Sequence, residues 1–161
     1  MLAACVSDVR SLRIPDVYSI VVIAAFIPAF LLSPEIFGRW WEHMGALALM
    51  FILTYVMFCY GVMGGGDSKF GSALALWVGL KGLVPYVLFM GIMGGVVALA
   101  SYFIKKKKPF KNPRAGSWVA EVQQGRNAVP YGVAISFGAW MAILHTGIID
   151  HQIHELIKII H

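Results

Sequence analysis

Residues 64–80 read Gly-Gly-Gly-Asp-Ser-Lys-Phe-Gly-Ser-Ala-Leu-Ala-Leu-Trp-Val-Gly-Leu, and the way this stretch divides decides the fold. Its second part, 70–80, is apolar but only 11 residues long, about 16 Å of helix. A membrane-spanning helix needs roughly 20 apolar residues. Longer apolar runs flank it at 44–63 and 84–104, with two more at 17–37 and 129–149. The apolar start, 1–7, is far too short to cross on its own. Over the whole chain 59% of residues are hydrophobic and 13% charged, against about 25% charged in soluble domains. Apolar residues gathered in blocks exclude an ordinary soluble domain and indicate an all-α, polytopic membrane bundle.

Basic residues decide how many times the chain crosses. With six crossings and the N-terminus outside, the inner loops hold Arg10, Arg13, Lys69, the lysines at 105–108 and 111, Arg114 and Arg126. The outer side keeps Arg39, Lys81 and Lys158, so 10 of the 13 basic residues lie inside. Joining 70–80 to 84–104 as one span would put 105–108 opposite Arg10 and Arg13, against the positive-inside tendency. The reading is therefore about six helices, the first truncated and the fourth short. A short fourth helix leaves Asp67 below the membrane surface, at the floor of a wet cavity, where non-helical backbone is tolerated. The glycines at 64–66 would supply that backbone.

The remaining signals are consistent with one membrane-embedded domain over 1–161. The formal net charge of +5 sits between apolar blocks, so its partners are water and anionic lipid heads, with no nucleic acid. Cys5 and Cys59 have no CxxC spacing, which argues against a zinc site or a disulfide framework. No signal peptide is visible, so the first helix itself would direct insertion. Trp40-Trp41 fits an outer aromatic belt, and Gly91 and Gly95 are spaced for close packing within the bundle. The loop 105–128 reads as a flexible, basic cytoplasmic connection. The tail 150–161 places Ile153, Leu156, Ile157 and Ile160 on one stripe, an amphipathic interfacial helix. His151, His154 and Glu155 share a face but lack a fourth ligand, so no metal and no cofactor is expected.

Chemistry concentrates at Asp67 and at Asp8, which opens Asp-Val-Arg-Ser-Leu-Arg-Ile-Pro-Asp at 8–16. The charge count puts both carboxylates on the inner side. A carboxylate at a membrane boundary is costly unless paired, solvated or functional. Two that meet can hydrolyse a peptide bond without metal or covalent nucleophile, one taking a proton from water while the other polarises the carbonyl. The glycines before Asp67 would allow positive φ and close approach of a substrate backbone; equally, they read as a helix C-cap and tight turn. Simpler roles exist for each charge: Asp8 paired with Arg10 or Arg13, Asp16 as an N-cap beside Pro15, Lys69 snorkelling or holding the loop. A small transporter with intramembrane carboxylates and an inactive assembly scaffold are the rival readings.

Taken together, Asp8 with Arg13-Ile14-Pro15, Gly64-Gly65-Gly66-Asp67-Ser68-Lys69 and Pro130-Tyr131-Gly132-Val133-Ala134 resemble the aspartic prepilin peptidases of the GxGD membrane protease family. The short form that processes pilins of tight-adherence secretion systems is the most similar. The resemblance implies an endopeptidase of the bacterial inner membrane, cutting a short basic leader from prepilin or pseudopilin substrates at the cytoplasmic face and working beside pilus or secretion machinery. It implies Asp8 and Asp67 as the catalytic dyad, with Gly64, Gly66, Lys69, Arg13 and Pro15 shaping the loops or binding substrate. Longer relatives carry a cysteine-bearing cytoplasmic domain and N-methylate the new terminus; methyl transfer is not expected here. Two departures stand out. Asp16 replaces the family's usual asparagine, and only seven residues precede Asp8 where relatives have a full helix. The basic inner surface would repel a basic leader, so recognition would be local to the acidic pocket.

Overall fold

The computed structural model describes residues 1–147, all of whose regular elements are helices: α1 (Leu2–Ser11), α2 (Asp16–Leu32), α3 (Pro34–Phe37), α4 (Trp40–Cys59), α5 (Gly65–Lys107), α6 (Trp118–Gln123) and α7 (Tyr131–His145). α4 and α5 are long and apolar enough to cross a membrane, while α2 and α7 are apolar but shorter. Large apolar side chains point outward along them, among them Ile20, Leu31, Ile52, Val84 and Leu99. So much exposed apolar surface is foreign to a water-soluble monomer and suits a lipid-facing bundle.

α5 is two helices meeting at Gly79, whose φ of 68° and ψ of 177° interrupt the spiral. The Tyr86 phenol donates to the Gly71 carbonyl at 3.1 Å. Fifteen residues of straight helix would separate the two by about 22 Å, so the chain folds back at Gly79. Its arms, 65–78 and 80–107, lie beside each other. Only glycine adopts this φ without strain, and a Cβ there would also stand 3.1 Å from the His43 ring. His43 holds the turn from α4: its ring nitrogens lie 2.7 Å from the Leu76 carbonyl and 2.8 Å from the Phe37 carbonyl. The rings of Phe26, Phe30 and Phe37 surround it.

The core lies where α4, both arms of α5, and α7 meet, around Met50, Phe70, Leu74, Tyr86 and Ile135, all buried. Small residues permit the contact, but at positions other than those expected. A Cβ added to Gly91 or Gly95 would meet nothing within 4 Å, so neither supports close packing. Gly138 does: its Cβ would fall 2.7 Å from the Tyr86 carbonyl oxygen and 2.8 Å from the Met90 nitrogen. Because backbone atoms cannot step aside, Gly138→Val is expected to lower stability by about 1–3 kcal/mol. A detergent thermal-unfolding midpoint equal to wild type would refute that packing.

Two further differences concern α1 and the basic loop. α1 runs on to Ser11, so Asp8 lies inside a helix instead of at the mouth of an apolar run. At ten residues, about 15 Å, α1 spans no membrane, and it packs on α7 and α6. The basic loop is also more ordered than a flexible connection. α6 stands within it, capped by the Ser117 hydroxyl, which accepts from the Ala120 N–H, and it buries Ala120 and Val122. The tail 150–161, with its stripe and its His151, His154 and Glu155 face, lies outside the described residues.

Candidate active site

Asp8 sits one helical turn after Ala4, and both are buried, with Asp8 only 3% exposed. Neither Arg10 nor Arg13 pairs with it. Its Oδ2 accepts a 2.7 Å hydrogen bond from the Gly132 N–H, in the first turn of α7. The first N–H groups of a helix lack partners within it and carry the positive end of its dipole. Pro130 precedes the helix and fixes its start, so the N–H at Gly132 is free for the carboxylate. Burial pushes the Asp8 carboxyl up to about 6, and the Gly132 hydrogen bond pulls the other way.

Asp67 has a matching arrangement. It stands at the third position of α5 and its Oδ2 accepts from the Gly64 N–H at 3.1 Å, so the carboxylate itself satisfies the N-cap backbone donor. Its other oxygen, Oδ1, is buried with no hydrogen-bond partner among the described residues. Beside it, Ser68 Oγ and Thr54 Oγ1 hydrogen-bond at 2.8 Å in the interior, pinning the start of α5 to α4. Asp8 and Asp67 lie within range of each other's charge, and the Tyr131 phenol is within range of Asp67.

Ile14 brings the two helix starts together. Leu12 ends α1 in the left-handed conformation, with φ of 51°, and Pro15 disfavours a helical residue before it. Arg13 and Ile14 therefore run between α1 and α2, where Ile14 is buried. A Cβ on Gly66 would come within 2.5 Å of the Ile14 carbonyl oxygen, and one on Gly132 within 2.8 Å of Ile14 Cδ1 and 2.9 Å of Asp8 Oδ2. Ile14 is thus wedged between the first turns of α5 and α7, whose glycines let it in. The glycines before Asp67 serve close approach alone. Gly64, Gly65 and Gly66 are absent from the positive-φ residues, and Gly64 caps the start of α5 instead of ending a preceding helix.

Comparison with known proteins gives one finding: the type IV leader peptidase family matches residues 1–99. The chain belongs to that family. No curated protein and no solved structure matches it. Membership in the family makes the chain a peptidase and agrees with its membrane-protein composition. The matched stretch holds Asp8 and Asp67; Gly132 lies beyond it.

Four of the five other candidate residues of the leader peptidase site line one open cavity of about 370 Å³, and Lys69 lies outside that lining. Arg13, Pro15, Gly64 and Gly66 border it with Asp67 and Asp16. Asp67 thus fronts the cavity, while Asp8 is enclosed and absent from its lining. Lys69 is not free: its Nζ donates to Asp16 Oδ2 at 2.7 Å, both side chains more than half exposed. Asp16 is the first residue of α2, one place past the N-cap, and its charge is answered by Lys69 rather than by Arg10 or Arg13. Such an exposed pair adds little stability, but it straps α2 to the start of α5. Sequence reading gives no role to Ile14 or to Gly132. The signal for Gly132 was its place behind Pro130, where a helix begins.

Proposed function

We infer that this chain is a membrane aspartic endopeptidase that removes the short basic leader from type IV prepilin-like proteins. Asp8 and Asp67 act as one catalytic pair on a water molecule, at the cytoplasmic face of the bacterial inner membrane, in a multi-pass helical bundle. No methyl transfer accompanies the cut. The observation that carries this reading is the seating of both carboxylates on helix N-termini around the shared wedge of Ile14, beside a cavity open to a peptide. Family membership supports the class of reaction.

The chemistry follows from unlike surroundings. Each carboxylate keeps one oxygen on a backbone N–H, which orients it. Two nearby carboxylates in a poorly solvated place do not ionise together, so the pair holds one proton over a range of pH. The ionised member takes a proton from water as the oxygen attacks the carbonyl carbon. The protonated member donates to the carbonyl oxygen, and collapse returns a proton to the leaving amine. Gly64, Gly66, Arg13 and Pro15 shape the cavity in which the scissile segment lies extended, and Lys69 holds Asp16 at its border.

The raised Asp8 carboxyl gives the reaction a pH signature. Below about 6 the group carries its proton, and the pair tends to its doubly protonated, inactive form. Cleavage is expected to fall as pH drops through about 6 and to fall again when the last proton leaves at higher pH. Steady-state rates on a synthetic prepilin-like peptide measure this; a flat profile from roughly pH 4 to 9 would count against the pair. The proposal itself is tested by mixing detergent-purified chain with that peptide and weighing the products. One cut before the apolar segment is expected. An uncut peptide points to the scaffold reading, and ion flux through reconstituted vesicles points to the transporter.

A further inference from the structure

A second built site lies away from the aspartates, where the second arm of α5 leaves the apolar region. A cavity of about 250 Å³ opens there, between Ser101, Tyr102 and Lys105 of that arm, Val122 of α6, and Arg126 and Asn127 of the α6–α7 connection. Its floor is fixed by a closed set of hydrogen bonds. Trp118 Nε1 donates to Ser101 Oγ at 2.9 Å and to the Ala128 carbonyl at 3.1 Å. Ser101 Oγ, with one hydrogen to give, lies 3.0 Å from both the Val97 and the Ala128 carbonyl oxygens, which share it. The cavity is therefore formed before anything enters it.

Its rim is cationic with donors to spare. Lys105 Nζ donates to Asn127 Oδ1 at 2.9 Å, leaving two of its three N–H groups without a partner among the described residues. Arg126 pairs with the mostly buried carboxylate of Glu121 through one nitrogen, leaving most of its five N–H donors. Counting Glu121, the rim keeps one net positive charge, and Lys106, Lys107 and Lys108 follow directly. Below the rim the arm turns apolar and exposed: Leu88, Ile92, Val96, Leu99 and Phe103 point outward in successive turns. Tyr102, exposed and amphipathic, stands at the junction, the usual level of tyrosine at a membrane interface.

We propose that this cavity is a specific site for an anionic phospholipid, whose phosphodiester takes the free donors of Lys105 and Arg126 while its acyl chains follow Leu99 and Phe103. A basic recess joined to an apolar helix face matches the two ends of such a lipid and suits nothing that lacks either end. The site is independent of the peptidase chemistry.

The test uses the full chain in neutral detergent, with retained lipid read by native mass spectrometry. Titrants are dioleoylphosphatidylglycerol, dioleoylphosphatidylcholine and inorganic phosphate. Phosphatidylglycerol alone is expected to be retained. Lys105→Gln combined with Arg126→Gln is expected to weaken retention about 10-fold. Lys107→Gln with Lys111→Gln, removing equal charge outside the lining, is expected to change it less than about 2-fold. If the first pair unfolds, Lys105→Gln alone gives the same reading at roughly 3-fold, and Lys105→Arg keeps binding. Equal weakening by both pairs would reduce the site to diffuse attraction and overturn the proposal. So would displacement by millimolar phosphate, which indicates a free-anion site, or equal retention of phosphatidylcholine.

Discussion

Asp67→Asn is expected to lower leader removal by about 10³-fold or more, below detection in most assays, while the protein still inserts and folds. Asparagine keeps the size of the side chain, and its amide oxygen still accepts from the Gly64 N–H. What it cannot do is exchange a proton. The same substitution at Asp8 preserves an acceptor for the Gly132 N–H and is expected to cost as much. Neither change creates a cavity or strands a backbone donor, so loss of activity without loss of fold identifies a chemical role. An inactive scaffold tolerates both changes, and a structural carboxylate would instead show a lowered unfolding midpoint.

Gly66→Ala is the second large effect, and it works through position. The added Cβ meets the Ile14 carbonyl oxygen at 2.5 Å, a backbone atom that cannot rotate away. Either the start of α5 moves off Ile14 or the segment between α1 and α2 gives way; both change the spacing of Asp67 and Asp8. A misplacement of about 1 Å costs on the order of 10²-fold in rate. Helix propensity alone would favour alanine at this position, so lost cleavage without a gain in stability is the distinguishing outcome. Cleavage within about 3-fold of wild type would mean that the spacing around Ile14 is not critical.

Much of this arrangement is legible from residue type and order, and the part that is not has a physical reason. The break between 70–80 and 84–104 appears in the charge count, because lysine placement responds to the membrane. Gly79 itself is invisible there, since its positive φ depends on the turn around His43 and not on its neighbours. Gly91 and Gly95 have a spacing suited to packing yet face open space, whereas Gly138 carries the contact. Spacing tells which residues share a face, not what that face meets. Asp16 reads as a helix cap and Lys69 as an interfacial charge, and only the fold brings residues 53 apart within 2.7 Å. The glycines before Asp67 show the same limit: the sequence advertises their freedom, but the structure uses their lack of a side chain.

The central claim is that Asp8 and Asp67 form a single catalytic unit, and non-additivity measures that directly. Cleavage rates on one synthetic prepilin-like peptide are compared for wild type, Asp8→Asn, Asp67→Asn and the double variant, all purified in the same detergent. Residues acting as a unit are each as costly to lose as both together. The account predicts that either single variant is as inactive as the double. A single variant that keeps a rate within about 10-fold of wild type, or losses that multiply in the double, would contradict it.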